Sequence, residues 1–113
     1  MTLNELFDLY TKDLNRRGAK TVKRIKQFYD NDIRLALGDR EINSIIRGDI
    51  AQLHFDVSDR SPYTSNKCLS ILKAMFNLAI TFSYLENNPA LNIGKNREIK
   101  RKRYLTNEEL IAI

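Results

Sequence analysis

Residues 61–86 have the sequence SPYTSNKCLSILKAMFNLAITFSYLE, the longest amphipathic stretch of the chain. Ser61 and Pro62 favour a helix start, because a serine hydroxyl can cap the first free N–H groups and proline loses no hydrogen bond at the first helical position. The pattern predicts a central helix from Pro62 to about Glu86, ended by the Asn-Asn-Pro sequence at 87–89. Its apolar face comprises Cys68, Leu69, Ile71, Leu72, Met75, Phe76, Leu78, Ala79 and Phe82.

A first helix is predicted near the N-terminus, over residues 2–14. Thr2 and Glu5 have the spacing of a capping box, and Gly18 suits the left-handed conformation that follows a helix. The apolar side chains recur every three or four residues, at Leu3, Leu6, Phe7, Tyr10 and Leu14.

Two further helices are predicted before the central one. The second spans about residues 20–37, and the third spans about 48–57. A turn at 39–47 is expected to bring Ile42, Ile45 and Ile46 into the core. The inward positions of the two helices are Val22, Ile25, Tyr29, Ile33, Ala36, Ile50, Leu53 and Val57.

The composition fits one globular domain. The chain has 113 residues, of which 42% are hydrophobic, so it can bury a cooperative core. It has no signal-peptide pattern and no apolar run long enough to span a membrane. A single cysteine excludes an internal disulfide and makes a reducing cytoplasm the expected location.

The positive charge is concentrated in two segments. Residues 1–93 carry 13 Lys/Arg and 11 Asp/Glu, whereas residues 94–104 carry six Lys/Arg and one Glu. Residues 12–26 form a second cluster, with seven basic residues and one Asp. Such clusters on a balanced domain are typical of a polyanion-binding surface, although solvated faces would give the same pattern.

A new helix start follows the basic segment. Thr106 and Glu109 have capping-box spacing, flanked by Leu105 and Leu110 at the positions of a hydrophobic staple. We therefore expect one folded domain at 1–93, a basic linker at 94–104, and the start of a truncated second domain at 105–113.

Several segments together resemble the core-binding domain of phage-integrase-type tyrosine recombinases. They are TLNELFDLYTKDL, LGDREINSI with GDI, SPYTSNKCLSILKAMFNLAI, LENNPALNI, and REIKRKRYLTNEEL. The sequence departs from the family pattern at Arg47-Gly48, where a Thr or Ser cap is common. We expect the third helix to be less well capped there.

The resemblance implies an all-α, SAM-like bundle of four to five helices with a basic C-terminal linker. Such a domain grips one side of double-stranded DNA, with its second and fourth helices near the major groove. It also contacts other recombinase protomers in the synaptic complex, and the isolated domain is expected to be monomeric. The family's tyrosine nucleophile and basic catalytic residues belong to the second domain.

The candidate DNA-binding residues are polar or basic positions on two helices and the linker. Asn66, Ser70, Lys73 and Asn77 form a narrow stripe on the central helix, and residues 62–85 contain no Asp or Glu. This pattern favours DNA contact over an ordinary solvated face. The candidates are Lys20, Thr21, Lys23, Arg24, Gln27, Thr64, Ser65, Asn66, Lys67, Ser70, Lys73, Lys95, Arg97, Lys100, Arg101, Lys102 and Arg103.

No catalytic, metal or cofactor site is predicted. None of the five tyrosines has neighbouring His and Arg residues that could activate its phenol. His54 has no partner at metal-ligand spacing, and Cys68 lies among apolar residues as a small buried side chain.

Two other functions remain open. One is a helical protein–protein interaction module. The other, a helix-turn-helix regulator, is disfavoured because its recognition helix is short.

Overall fold

The computed structural model describes residues 1–94. Within this range the chain is all-α, as predicted, and its only β feature is an isolated bridge between Thr2 and Glu41. The elements in order are α1 (Leu3–Arg16), α2 (Val22–Phe28), a π-helical turn (Tyr29–Ile33), α3 (Arg34–Leu37), a 3-10 turn (Ile42–Ser44), α4 (Arg47–Arg60) and α5 (Pro62–Thr81).

Helix α5 is the central element of the bundle. It contacts α1, α2, α4 and the π turn. The Ser61 side chain accepts a hydrogen bond from the Thr64 N–H at 3.2 Å, and Pro62 opens the first turn, as predicted. The buried apolar residues of α5 are Cys68, Leu69, Ile71, Leu72, Met75, Phe76 and Ala79.

The predicted C-terminal end of α5 is wrong. The helix ends at Thr81, five residues before the predicted end, and the Phe82 side chain is 49% exposed. Ser83 adopts a left-handed conformation with φ of 64°. The Ser83 N–H donates to the Ile80 carbonyl, and the Tyr84 N–H donates to the Ala79 carbonyl, which makes a Schellman motif without glycine.

The chain that follows α5 is attached to its flank by Asn88. The Asn88 amide donates to the Lys73 carbonyl at 3.0 Å and to Asn77 Oδ1 at 2.9 Å. Its side-chain oxygen accepts from the Ala90 N–H at 2.8 Å. Asn88 and Ala90 are both buried, so this asparagine anchors the exit segment instead of ending the helix.

Helix α1 agrees with its prediction. Thr2 Oγ1 accepts from the Glu5 N–H, and the Glu5 carboxylate accepts from the Thr2 N–H at 2.8 Å. Gly18 has the expected positive φ, 75°. The five predicted inward residues of α1 are the five that are buried.

The second predicted helix is interrupted by the π turn. A π turn holds more residues than an α turn, so it changes which side chains face inward beyond it. Tyr29, Ile33 and Leu37 are buried, at steps of four residues. Ala36, which the regular helical period places inside, is exposed. The prediction of Ala36 was wrong because it assumed an unbroken α-helix.

The connection into α4 also differs from the prediction at one residue, Ile46. Ile42 and Ile45 are buried as predicted, but Ile46 is 63% exposed because it occupies the extended N-cap position of α4. Its side chain cannot accept a hydrogen bond, so the expected weak capping is confirmed. The Asp49 carboxylate compensates in part by accepting from the Ile46 N–H at 3.0 Å.

The predicted linker and second-domain boundaries remain predictions. Residues 95–113 lie outside the described part of the chain, and with them Tyr104 and the Thr106–Glu109 capping box.

Gly38 and Gly48 provide a matched stability test. A Cβ on Gly38 would stand 2.6 Å from Asn4 Oδ1 and 2.7 Å from the Arg34 carbonyl oxygen. Asn4 has little room to move, because its Oδ1 accepts from the Tyr29 hydroxyl at 2.7 Å. Gly38→Ala is expected to lower the free energy of unfolding by about 1–3 kcal/mol, measured by urea denaturation.

Gly48→Ala is the control for this test. A Cβ there meets nothing closer than 3.7 Å, and the position is helical. It should leave stability unchanged or raise it by up to about 1 kcal/mol. Equal effects of the two substitutions would contradict the close approach at Gly38.

Candidate nucleic-acid interface

Four of the predicted DNA-binding residues meet at one cleft. Thr21 and Arg24 come from the start of α2, and Lys67 and Ser70 come from α5. The cleft has a volume of about 290 Å³, and Tyr10, Ile25, Phe28 and Ile71 complete its lining. Its lining therefore combines two cations with hydroxyl-bearing, apolar and aromatic side chains.

Two aromatic rings contact the cations of this cleft. The Arg24 guanidinium carbon lies 5.4 Å from the centroid of the Phe28 ring, and Lys67 Nζ lies 5.2 Å from the centroid of the Tyr63 ring. The two rings pack against each other edge to face, with centroids 6.4 Å apart and planes at 61°. Arg24, Phe28, Tyr63 and Lys67 thus form a continuous cation–aromatic row that joins α2 to α5.

The sequence prediction missed both rings. Phe28 follows Arg24 by four residues, and Lys67 follows Tyr63 by four. Residues four apart on a helix are neighbours on its surface, so this repeated spacing was the available signal.

A wider groove continues from the cleft along α5. It shares Tyr10, Thr21 and Ile25 with the cleft and extends toward the C-terminal ends of α1 and α5. Arg16 and Arg17 line it, together with Ala74, Asn77 and Thr81. The groove therefore brings part of the basic cluster at residues 12–26 alongside the central helix.

Asp13 offsets some of this positive charge. Arg16 donates to one carboxylate oxygen of Asp13 at 2.7 Å, and Arg17 pairs with the other at 3.0 Å. The hydrogen bond from Arg16, together with the charge of Arg17, holds the pKa of Asp13 below its ordinary value. Asp13 therefore stays ionised at neutral pH and keeps both arginines partly neutralised.

The prediction that Ser65 and Asn66 lie on the exposed edge of α5 is wrong. Their exposed fractions are 0% and 3%. Asn66 Oδ1 is 3.1 Å from His54 Nε2, and an oxygen acceptor requires the imidazole proton on Nε2. Ser65 Oγ lies 3.0 Å from the Ser58 hydroxyl. These polar groups are therefore part of the interface between α4 and α5.

The remaining candidates on α5 do not line the cleft. Lys73 lies about 120° around the helix axis from Lys67, at 3.6 residues per turn. It is partly exposed and close to the Asn88 anchor, whereas Thr64 is partly buried in the first turn. The predicted polar stripe is therefore divided: Asn66 packs against α4, Asn77 holds Asn88, and Ser70 alone lines the cleft.

The other predicted residues are exposed or outside the described range. Lys20, Lys23 and Gln27 are exposed, but none lines the cleft. The six linker candidates lie outside the described residues and stay predictions: Lys95, Arg97, Lys100, Arg101, Lys102 and Arg103.

Among residues 1–94, no cluster of His, Cys, Asp or Glu side chains could hold a metal ion. Cys68 is buried, and burial raises the pKa of its thiol to about 12. No helix in the same range is long and apolar enough to cross a membrane.

Comparison with known proteins gives one structural likeness. No family model and no curated protein sequence matches the chain. Among solved structures, it is similar to a lambda integrase (75–356) dimer bound to a COC′ core site, with a TM-score of 0.82 and 24% sequence identity. The match covers 96% of this chain and 40% of that chain. The two share a fold. The chain spans about two fifths of the length of that integrase fragment.

The burial of Asn66 predicts a structural role for it. Asn66→Ala should lower the free energy of unfolding by about 1–3 kcal/mol, because it leaves the buried His54 without this partner. Gln52→Ala is the matched control, since within residues 1–94 the Gln52 side chain bonds to Asp56 on the exposed face of α4. Urea denaturation of both variants checks this, and similar small effects would argue against the buried pair.

The raised pKa of Cys68 predicts an unreactive thiol. Its pKa of about 12 keeps it protonated at pH 8, and the thiolate is the reactive form. A thiol reagent such as DTNB at pH 8 should modify the folded chain far more slowly than the chain in urea. Equal rates in the two conditions would contradict the burial of Cys68.

Proposed function

We propose that this chain is the DNA-gripping, non-catalytic domain of a site-specific tyrosine recombinase. In this role it binds duplex DNA at a core recombination site during integration or excision. The proposal combines the sequence resemblance to core-binding domains with the likeness to a DNA-bound integrase fragment. Strand cleavage is assigned to a second domain of the parent protein.

The observation that carries the proposal is the cleft between α2 and α5. Arg24 and Lys67 line it from two helices that are far apart in sequence, and both side chains are exposed. Hydroxyl groups of Thr21 and Ser70 lie on the same surface and can bond to phosphate oxygens. A cleft that offers hydroxyls and two cations without a carboxylate partner among residues 1–94 suits a sugar–phosphate backbone.

The basic segment 95–103 is assigned a supporting role. Each Lys or Arg that neutralises a phosphate releases condensed counterions, so this segment adds affinity that is sensitive to salt and indifferent to sequence. Base-specific contacts are proposed for α2, the residue Lys20 just before it, and α5. The candidates outside the cleft are Lys20, Lys23, Gln27, Thr64 and Lys73.

DNA binding by the full chain is the direct test. Fluorescence anisotropy with a mixed-sequence duplex should give an affinity that falls steeply as salt rises from about 50 mM to 200 mM. Lys67→Ala should weaken binding and reduce the slope of log affinity against log salt by about one. A chain ending at residue 94 should bind with a shallower slope than the full chain.

Arg47→Ala is the control for charge alone. Arg47 is an exposed cation at the start of α4 and lines a different groove, yet its loss changes the net charge by the same amount. It should leave the salt slope close to that of the unmodified chain. Failure of the full chain to bind duplex DNA at low salt would refute the proposed function.

The second candidate function is a helical interaction module within a recombination or regulatory assembly. An apolar hollow favours it, formed by Leu9 of α1 and Phe82 beyond α5 and bordered by Lys12, Asp13 and Arg16. Contact with other recombinase protomers through this side would make the isolated chain associate, whereas the DNA-binding function leaves it monomeric until it meets DNA. Sedimentation of the chain with and without DNA separates the two functions, because the module predicts association without DNA.

A further inference from the structure

Arg24 and Lys67, the two cations of the cleft, have aromatic partners, whereas most arginines within residues 1–94 have carboxylate partners. Arg16 and Arg17 pair with Asp13, Arg40 pairs with Asp49, and Arg60 pairs with Asp32. Within residues 1–94, neither Arg24 nor Lys67 has a carboxylate at ion-pair distance; each has an aromatic ring instead. A ring attracts a cation through its quadrupole without cancelling the cation's charge.

Arg34 makes the contrast clear. Its guanidinium lies 5.1 Å from the centroid of the Tyr29 ring, so it too contacts an aromatic side chain. Its Nε also donates to the Asp30 carboxylate at 2.9 Å, which neutralises it. The row formed by Arg24, Phe28, Tyr63 and Lys67 holds two cations while leaving their full charge available to a ligand.

We propose that Phe28 and Tyr63 are positioning residues for DNA binding, and that their rings hold Arg24 and Lys67 beside the cleft as a pre-arranged pair that binds the phosphodiester backbone. This inference rests on the proposed function and adds to it two residues that do not themselves carry charge. Tyr63 is 43% exposed, and its ring contacts the Phe28 ring of the neighbouring helix. The row therefore fixes the two cations relative to each other as well as to their own helices.

The physical gain is in conformational entropy. A lysine or arginine side chain that is free in solution loses rotamer freedom when it binds phosphate. A side chain already held against a ring has lost part of that freedom on folding, so binding costs less. Removing the ring should weaken binding although every charge remains.

Tyr63→Leu and Tyr63→Phe test the role of the ring. Tyr63→Leu is expected to weaken duplex binding about two- to fivefold at low salt, which corresponds to one exposed cation–aromatic contact. The slope of log affinity against log salt should not change, because Lys67 still neutralises a phosphate. Tyr63→Phe keeps the ring and should bind like the unmodified chain. Phe28→Leu should act in the same direction as Tyr63→Leu.

A measurement without DNA tests the geometry itself. The Tyr63 ring should shift the side-chain methylene protons of Lys67 upfield in the NMR spectrum of the free chain. Tyr63→Leu should abolish this shift, and Tyr63→Phe should keep it. If the Lys67 methylene protons of the unmodified chain show no upfield shift, the Lys67–Tyr63 contact is absent and the proposal is overturned.

The outcomes separate this inference from the function on which it rests. If the unmodified chain binds duplex DNA with a steep salt dependence and Tyr63→Leu binds equally well, the positioning role is refuted and the proposed function stands. If the unmodified chain does not bind duplex DNA, both are refuted. A loss of salt slope in Tyr63→Leu would also overturn the positioning role, because it would mean that a phosphate contact itself is gone.

Discussion

The ring of Tyr29 lies flat against the ring of Phe7, with centroids 3.8 Å apart and planes 6° apart. Both side chains are almost completely buried, and the Tyr29 hydroxyl donates to Asn4 Oδ1 at 2.7 Å. Burial raises the pKa of this phenol, so the hydroxyl stays a donor at any physiological pH. One side chain thus attaches the second helical segment to two turns of α1, and the position of α2 beside α5 depends on that attachment.

A polar seam fixes the other side of α5. His54 and Ser58 of α4 meet Asn66 and Ser65 of α5 inside the bundle. Buried polar groups are costly unless they are hydrogen-bonded, so they favour the one helix register that pairs them. Apolar contacts alone would tolerate small rotations of α5. With the seam in place, Lys67 and Ser70 are directed away from α4 and toward α2.

Much of the fold could be predicted from sequence because it follows local rules. The caps at Thr2 and Ser61, the apolar period of α1 and the left-handed Gly18 each depend on a few neighbouring residues. The end of α5 could not be predicted, because Ser83 adopts a conformation that glycine usually supplies. The site was predicted only in part: helical periodicity groups residues by face but does not say which polar face a neighbouring helix covers. Asn66 and Lys67 are adjacent in sequence, and only the packing of α4 distinguishes them.

The π turn has a consequence for how this sequence can vary. Tyr29, Ile33 and Leu37 face the core at steps of four because the turn contains an extra residue. Removal of one residue between Tyr29 and Ile33 would bring the three side chains to steps of three and four, the spacing of an ordinary amphipathic helix. A relative one residue shorter here could therefore keep the same core. The same segment holds Asp32, whose carboxylate binds Arg60 at the end of α4. Insertions and deletions usually accumulate in loops, but the geometry of this turn predicts that a helix interior accepts the loss of one residue.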